Sequence, residues 1–375
     1  MDLDFTTEQD MLRRSVRGLC ERLLPLTAVR QLERDSAGHS PEFWAALADG
    51  GFLALRIAES DGGAGLGCLD AVIVAEELGR ALVISPYLDC NILAARLIAL
   101  AGTGSERGPW LLRIMEGAII VPAWFEPRAP FPGTATVRNS GRNLILSGTK
   151  SLVPFTLSAH RLAVPVRHPE ISGQIVLALV DPASPGVAIE PQANLAALPL
   201  AKVTFADVAV PLEQCIGLEH GMRAAWDAAL AEAQVAIAAE AIGGAERALE
   251  ITVAYAKERK QFDRPIGGFQ AIAHALADRA VEIAGAKGLV HQAAWTLDQG
   301  LDFAALAAIA KLEATAAFRR MGAAAVQIHG GLGFTLEGDA QLYFRRAKHL
   351  QLMYGDTTWL EDTIASQVLG VGEEM

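Results

Sequence analysis

Three sets of residues in this chain have types and spacings that could do chemistry. The first is Arg259 with Gln261 and, nine residues further, Gln270. A guanidinium grips phosphate or pyrophosphate oxygens with a planar pair of N–H donors, which a lysine ammonium cannot reproduce. The two carboxamides add donors and acceptors suited to ribose hydroxyls or a purine edge. The second set is Gly330-Gly331, inside the run Gln327–Thr335 (QIHGGLGFT). Paired glycines let a backbone approach phosphate oxygens closely and aim its N–H groups at them. Plainer readings stand beside both: a solvated helix-end charge for Arg259, and a helix C-cap for the glycines.

The third set is carboxylates able to take a proton. Glu240 has Ala236, Ile237, Gly243 and Gly244 as helical neighbours, all uncharged and mostly small. A carboxylate on such a stripe tends to be buried, and desolvation raises its pKa toward that of a working base. Arg247 continues the stripe, so a structural ion pair is the competing role and plain exposure a third. Asp356 is the rival base. It stands where a last helix begins, beside Thr358-x-x-Glu361 in the pattern of a capping box, and its side chain is shorter by one methylene. The eight histidines include no H-E-x-x-H spacing, and Cys20, Cys68, Cys90 and Cys215 form no C-x-x-C pair. A zinc site or disulfide framework is therefore not expected, and a reducing compartment fits.

The elements that must position these groups fall into three segments. Residues 1–117 read as helical, with a capping box at Thr6-x-x-Gln9 before Met11–Leu23 and further helices over Pro41–Gly50 and Leu69–Leu82. The glycine-rich run Glu59–Gly67 lacks the strand-then-helix setting of a dinucleotide fingerprint. Residues 118–216 carry short β-branched and aliphatic runs: Ala118–Pro122, Asn143–Leu146, Arg161–Val166, Gln174–Val180 and Lys202–Phe205. Turn residues at Asn139-Ser140-Gly141 and Asp181-Pro182 separate them, as in a small antiparallel β domain. Residues 217–375 predict helices over Met222–Lys257, Phe269–Leu297 and Phe303–Gln327 and after Asp356, the order of an antiparallel four-helix bundle. Their apolar, alanine-rich faces exceed what one bundle needs, so part should face another subunit.

Bulk properties narrow the function classes. A formal net charge of -11 argues against nucleic acid or an anionic membrane as the main partner. With 51% hydrophobic and 20% charged residues, there is apolar material for a large core or a subunit interface. Met1-Asp2-Leu3-Asp4 is acidic where a signal peptide would be basic, and no apolar run reaches the roughly 18 residues of a membrane span. The expected setting is cytoplasmic.

Tyr255–Gln270 reads YAKERKQFDRPIGGFQ and closely resembles the acyl-CoA dehydrogenase signature, in which Arg-x-Gln-Phe-Gly leads into Pro-Ile and Phe-Gln. Gln327–Thr335 is similar to that family's second C-terminal signature. Asp4–Arg14, Glu76–Arg80, Ser147–Lys150 and Ala206–Pro211 resemble its other segments in the right order, so the likeness runs through the whole chain. It implies a mainly helical three-domain fold with a middle β domain, and FAD as cofactor. Arg259, Gln261, Phe262, Phe269 and Gln270 are then implied as one cofactor-contacting segment, Gln327, Gly330 and Gly331 as a second, and Thr357 beyond them. In the family these elements clamp an FAD held mainly by a neighbouring subunit, which implies a homo- or hetero-tetramer with cofactor at the interface.

The family's reaction removes a proton alpha to a thioester carbonyl while hydride leaves the beta carbon for flavin N5. Its usual glutamate lies in a Tyr-Glu-Gly-Thr run; here Tyr354-Gly355-Asp356-Thr357 puts Gly355 at that position. The alternative base position on the long helix falls at Ala233, and Glu240 lies seven residues beyond, two turns along the same face. The flavin-ring side departs too, with Phe125-Glu126-Pro127 and Arg128-Ala129-Pro130 for Thr-Glu-Pro and Gly-Ser-Asp, and Leu152-Val153-Pro154 for Trp-x-Thr. Neither Phe125 nor Pro154 has a side chain that can hydrogen-bond a flavin, and proline lacks even the N–H. Gln234 stands where a helix arginine near coenzyme A often lies.

These departures are similar to bacterial members that form α2β2 assemblies acting on bulky acyl-CoAs such as steroid side-chain thioesters. The expected activity is FAD-dependent conversion of an acyl-CoA to a 2,3-enoyl-CoA, with electron-transfer flavoprotein as acceptor. A partner subunit lending its clamp to another chain's flavin, or a non-oxidative acyl-thioester enzyme on this fold, are the alternatives. Gly243 and Gly244 could make room for a bulky acyl group or serve close helix packing.

Overall fold

The computed structural model describes residues 5–35, 37–127, 131, 133, 135–168, 170–171 and 173–369. In chain order its helices are α1 (Thr7–Leu23), α2 (Leu26–Leu32), α3 (Pro41–Asp49), α4 (Cys68–Arg80), α5 (Ala95–Ala101), α6 (Gly104–Met115), α7 (Arg223–Glu258), α8 (Gln270–Asp298), α9 (Ala304–His329), α10 (Ala340–Leu352) and α11 (Thr357–Leu369). The strands are β1 (Ile120–Pro122), β2 (Thr136–Ser140), β3 (Asn143–Pro154), β4 (Arg161–Arg167), β5 (Ile175–Val180), β6 (Val187–Gln192), β7 (Leu200–Pro211), β8 (Cys215–Ile216), β9 (Lys260–Gln261) and β10 (Arg264–Pro265). The chain divides into two compact units, one of residues 5–29, 67–83 and 231–369, the other of 30–66 and 84–230.

The first unit is helical. Its α1 starts at the expected capping box: Thr6 Oγ1 accepts from Gln9 N–H (3.2 Å) and Gln9 Oε1 from Thr6 N–H (3.1 Å). The start of α4 is capped from afar, because Asp298 at the end of α8 accepts from the backbone N–H groups of Cys68 (2.5 Å) and Leu69 (3.0 Å). A carboxylate at a helix N-terminus satisfies orphan donors and meets the positive end of the helix dipole. Helix α4 is buried at ten of its residues and meets α7 backbone to backbone. A Cβ on Gly243 would lie 1.8 Å from the Glu76 carbonyl oxygen, and one on Gly79 2.0 Å from that of Glu240. A Cβ on Gly244 would lie 2.5 Å from the Phe318 ring. Both glycines of α7 therefore serve helix packing, and the room expected for an acyl group beside them is filled.

Within α7 one window is long and apolar enough to cross a membrane by composition, yet 89% of it is buried, as in the core helix of a folded protein. One further expectation needs correction, the number of C-terminal helices: the C-terminal part holds α10 besides the four expected. Its inward face includes Arg346, which breaks the apolar period; that side chain is buried and donates to the carbonyls of Val83 (2.9 Å) and Leu82 (3.1 Å).

The second unit carries two four-stranded sheets, ordered β1-β4-β5-β8 and β2-β3-β7-β6. All neighbours pair antiparallel except β1 with β4, which are parallel, so the sheets are not wholly antiparallel as expected. Strands β2, β6 and β8 escaped the sequence reading. Four of the five residues of β2 are exposed, and its polar side chains show no alternation. Strands β3 and β7 run for 12 residues each, well past the short runs expected, with register shifts in β3 between Leu146 and Gly148 and between Lys150 and Val153. Cys20, Cys68, Cys90 and Cys215 are buried free thiols; burial pushes those of Cys20, Cys90 and Cys215 up to about 12.

Candidate cofactor clamp and the turn before the last helix

Helix α7 ends one turn after Tyr255, where Arg259 N–H donates to the Tyr255 carbonyl (2.8 Å). The chain then forms a tight hairpin, β9 against β10, closed by Phe262-Asp263 with φ of +52° and +60°. Two left-handed central residues match the twist of a two-residue hairpin, which explains a non-glycine pair there. The hairpin leaves Arg259 and Gln261 exposed and puts Phe262 at the tip, 87% exposed. Phe269 is half-buried under the Arg264 guanidinium (3.9 Å to the ring centroid), and the exposed Gln270 opens α8.

The second segment closes α9. Gln327 is exposed in its last turn, and Gly330 is the C-cap with φ +59°, so the plainer role of the glycine pair is real. A Cβ at Gly330 or Gly331 would meet nothing within 4 Å, which leaves their backbone open to a ligand. The two segments are tied together. The Tyr255 ring stacks on His329 (centroids 4.3 Å, 24° between planes), and its hydroxyl donates to the His329 carbonyl (3.5 Å). A forked cation, three carboxamides and an open glycine backbone, on segments joined through Tyr255 and His329, form a donor set that fits a nucleotide diphosphate.

The turn Tyr354-Gly355 precedes the last helix, with φ of +55° and +109°. Gln234 of α7 donates through Nε2 to the Tyr354 carbonyl (3.0 Å), and Lys311 of α9 donates through Nζ to the Gly355 carbonyl. Lys311 is fully buried, and burial pushes its amine down to about 7 against the upward pull of Asp356. Asp356 itself is the cap of α11: its Oδ1 accepts from Trp359 N–H (2.9 Å), while Thr358 lies inside the helix. The capping box expected at Thr358-x-x-Glu361 is thus displaced by Asp356. Thr357, the first helical residue, accepts from Gln351 Nε2 (3.1 Å). A Cβ on Gly355 would lie 2.4 Å from the Trp359 ring, so an indole closes the position that would otherwise carry a glutamate.

Glu240 is half-buried, and its carbonyl is wedged against Gly79 of α4. Six residues separate it from Gln234, roughly 9 Å along the helix and about 120° around it. The two candidate bases therefore address different faces of α7. Arg247, the proposed partner of Glu240, bonds Glu250 (3.0 Å), which also takes Arg80. The sequence reading passed over Lys311 and Glu232, which is 2% exposed beside Ala233. Glu232 is the lone charge between Ala228 and Ala239, and Lys311 has only Glu313 near it in an alanine-rich run; that was the available signal.

In the other unit the segments at Phe125-Glu126-Pro127 and Leu152-Val153-Pro154 flank a buried ion pair. Lys150 Nζ lies 2.7 Å from Glu126 Oε1, which also accepts from Ala135 N–H (3.2 Å). Burial lowers the Lys150 pKa against the pull of Glu126. Ser151 N–H donates to the Phe125 carbonyl (2.8 Å), and Pro154 pairs with Leu200 at the end of β3. Phe131 stacks on Trp226 (4.3 Å), with Trp124 tilted against the same indole (5.3 Å). Met1 to Asp4, Arg128, Ala129 and Pro130 lie outside the described residues.

Comparison with known proteins bears on the family and the fold. The family model for the acyl-CoA dehydrogenase C-terminal domain matches residues 219–369, and that for the N-terminal domain matches residues 6–118. Acyl-CoA dehydrogenase IpdE2 of Mycolicibacterium smegmatis is 33% identical over 349 residues, 92% of this chain and 93% of its own. A chain of the ChsE4–ChsE5 complex from Mycobacterium tuberculosis superposes with a TM-score of 0.90 at 27% identity, over 100% of both chains. A chain of a Tcur3481–Tcur3483 steroid ACAD variant superposes with a TM-score of 0.86 at 28% identity, over 97% of this chain and 98% of that one.

Proposed function

The chain belongs to the acyl-CoA dehydrogenase family, and on that premise we propose that it oxidises an acyl-CoA to the 2,3-enoyl-CoA with FAD as cofactor. The observation that carries this is the open clamp, with the Arg259 hairpin tied through Tyr255 and His329 to Gly330-Gly331. In this reading Arg259 grips the pyrophosphate, and the N–H groups of Gly330 and Gly331 face its oxygens. Gln261, Gln270 and Gln327 bond ribose and adenine, and Phe262, Phe269 and Thr357 complete the contact surface. FAD, when bound, accepts the hydride leaving the beta carbon. The chain's own task is to take the alpha proton on a carboxylate, Glu240 or Asp356. Electrons then pass to an electron-transfer flavoprotein, and four buried thiols suit a cytoplasmic setting.

The steroid substrate in the name of one structural neighbour supports a bulky acyl group for this chain as well. A second reading rests on a specific observation: Trp359 closes Gly355, and Asp356 is committed to capping α11. In that reading the chain is one half of a heteromeric enzyme, as in the two-chain ChsE4–ChsE5 complex, and lends its clamp to a site whose base the partner supplies.

The deciding experiment expresses the chain alone and records its visible spectrum, its mass in solution and turnover with ferrocenium as acceptor. A yellow, active oligomer supports the self-sufficient enzyme. Glu240→Gln should then abolish turnover with FAD retained; if Asp356→Asn does so instead, the base is Asp356. A colourless product that becomes yellow and active only with a second family chain supports the half-site reading.

A further inference from the structure

We propose that Lys311 is a positioning residue for the reaction, its amino group and the Gln234 carboxamide together pinning the turn that aims Asp356 and the last helix. This rests on the dehydrogenase reading above, since the turn occupies the position of the family's usual base. Tyr354 is not glycine, yet it adopts φ +55° immediately before Gly355 at φ +109°. A left-handed conformation costs a non-glycine residue free energy and persists only where the surroundings over-determine it. Here the surroundings include two side chains from two different helices. Gln234 of α7 and Lys311 of α9 donate to consecutive carbonyls, those of Tyr354 and Gly355.

Both donors are buried, Gln234 at 3% exposure and Lys311 at 0%. A lysine is almost never fully buried unless something holds it there, and a leucine or methionine would fill the same space without the desolvation cost. What the amine adds over an apolar side chain is a donor aimed at one carbonyl. Thr315 Oγ1 donates to the Lys311 carbonyl (2.8 Å) within α9, so the helix turn carrying the lysine is itself braced. On the far side, Asp356 follows Gly355 directly and caps α11, while Trp359 covers Gly355. The hydrogen bond from Lys311 therefore sets where the head of α11 stands, and with it the Asp356 carboxylate and the indole.

The test compares wild type with Lys311→Met, which keeps length and apolarity but removes the donor, and with Lys311→Gln, which keeps a donor. Two readouts are taken on the FAD-loaded oligomer, with its partner chain if one is required. The first is hydrogen exchange of the peptide covering residues 351–362. The second is kcat and KM with octanoyl-CoA and a steroid side-chain CoA thioester, with ferrocenium as acceptor. Faster exchange of that peptide by about tenfold or more in Lys311→Met, with kcat down ten- to hundredfold and KM within threefold, is the expected result. Partial recovery of both by Lys311→Gln strengthens it, and Gln234→Leu should reproduce the exchange effect if Lys311→Met does not fold. Unchanged exchange and unchanged kcat in Lys311→Met would overturn the proposal and leave Lys311 a filler of the core. If the wild type turns over neither thioester, the dehydrogenase reading fails on its own, and the exchange measurement still decides whether Lys311 pins the turn.

Discussion

Arg259 shows how much rests on one side chain. It is exposed at the end of α7, and its planar fork is the feature a phosphate pair selects. Arg259→Lys keeps the charge but loses bidentate geometry, so FAD should bind about tenfold more weakly with the fold intact, as read by flavin titration. Lys311 makes a prediction about pH. Its amine titrates at about 7 in the folded chain against an ordinary value of ~10.4. Between those values the unfolded chain holds a proton that the folded chain does not, so stability rises with pH across that window. Below about pH 7 both states are protonated and the cost of burying the charge is fully present. Thermal melts of wild type and Lys311→Met should therefore show the gap moving in favour of wild type from pH 7 to pH 9. An unchanged gap would mean that Lys311 keeps its proton in the folded chain over this range.

At the scale of elements, α4 is the helix on which the first unit turns, and two of its charges, Glu76 and Glu77, are as buried as its apolar residues. Glu76 is 3% exposed and meets His291 Nε2 (2.7 Å), Lys287 (3.5 Å) and Arg13 (3.8 Å), so that α1, α4 and α8 share one ionic cluster. Burial by itself would raise the Glu76 carboxyl, but His291, Lys287 and Arg13 together hold it below the usual range. Breaking a buried pair leaves uncompensated charge, and Glu76→Gln should cost about 3 kcal/mol. A carboxyl held low contributes stability that is present above its ordinary pKa of ~4.3 and lost as pH falls through the folded value. The difference in melting temperature between wild type and Glu76→Gln should accordingly hold from pH 7 to about pH 5 and narrow as pH falls below about 4. A constant difference would show that the cluster does not hold Glu76 ionised.

At the scale of the molecule, the single chain leaves apolar side chains in water that a monomer rarely does. Phe262 is 87% exposed, Val281 74%, Leu336 73% and Phe334 71%, and all four lie in the C-terminal helical part that carries the clamp. Subunit association covers such a surface, and the clamp residues among it would then meet a cofactor held by another copy or another chain. Light scattering of the flavin-loaded protein should give a multiple of the single-chain mass. Phe262→Asp, at the hairpin tip, should yield smaller species and lose the visible flavin band together with the assembly. Retention of both would remove Phe262 from the interface.

Much was legible in the sequence because it is local. The capping box at Thr6, the long helices α7 to α9, the β texture of the middle segment and the Arg259 and Gly330 motifs all depend on residues within a few turns of one another. The family likeness could likewise be read from motif order alone. Contacts between distant segments decided the rest. Whether Gly243 gave room or packing depended on α4, more than 160 positions away in sequence, arriving at backbone distance. Arg346 hid α10 because its guanidinium finds its carbonyl partners at Leu82 and Val83. Gly355 read as a missing base, but only the folded chain reveals Trp359 over it and Lys311 beneath its carbonyl. Periodicity reports which face of an element is apolar; it carries no information about which distant backbone that face will meet.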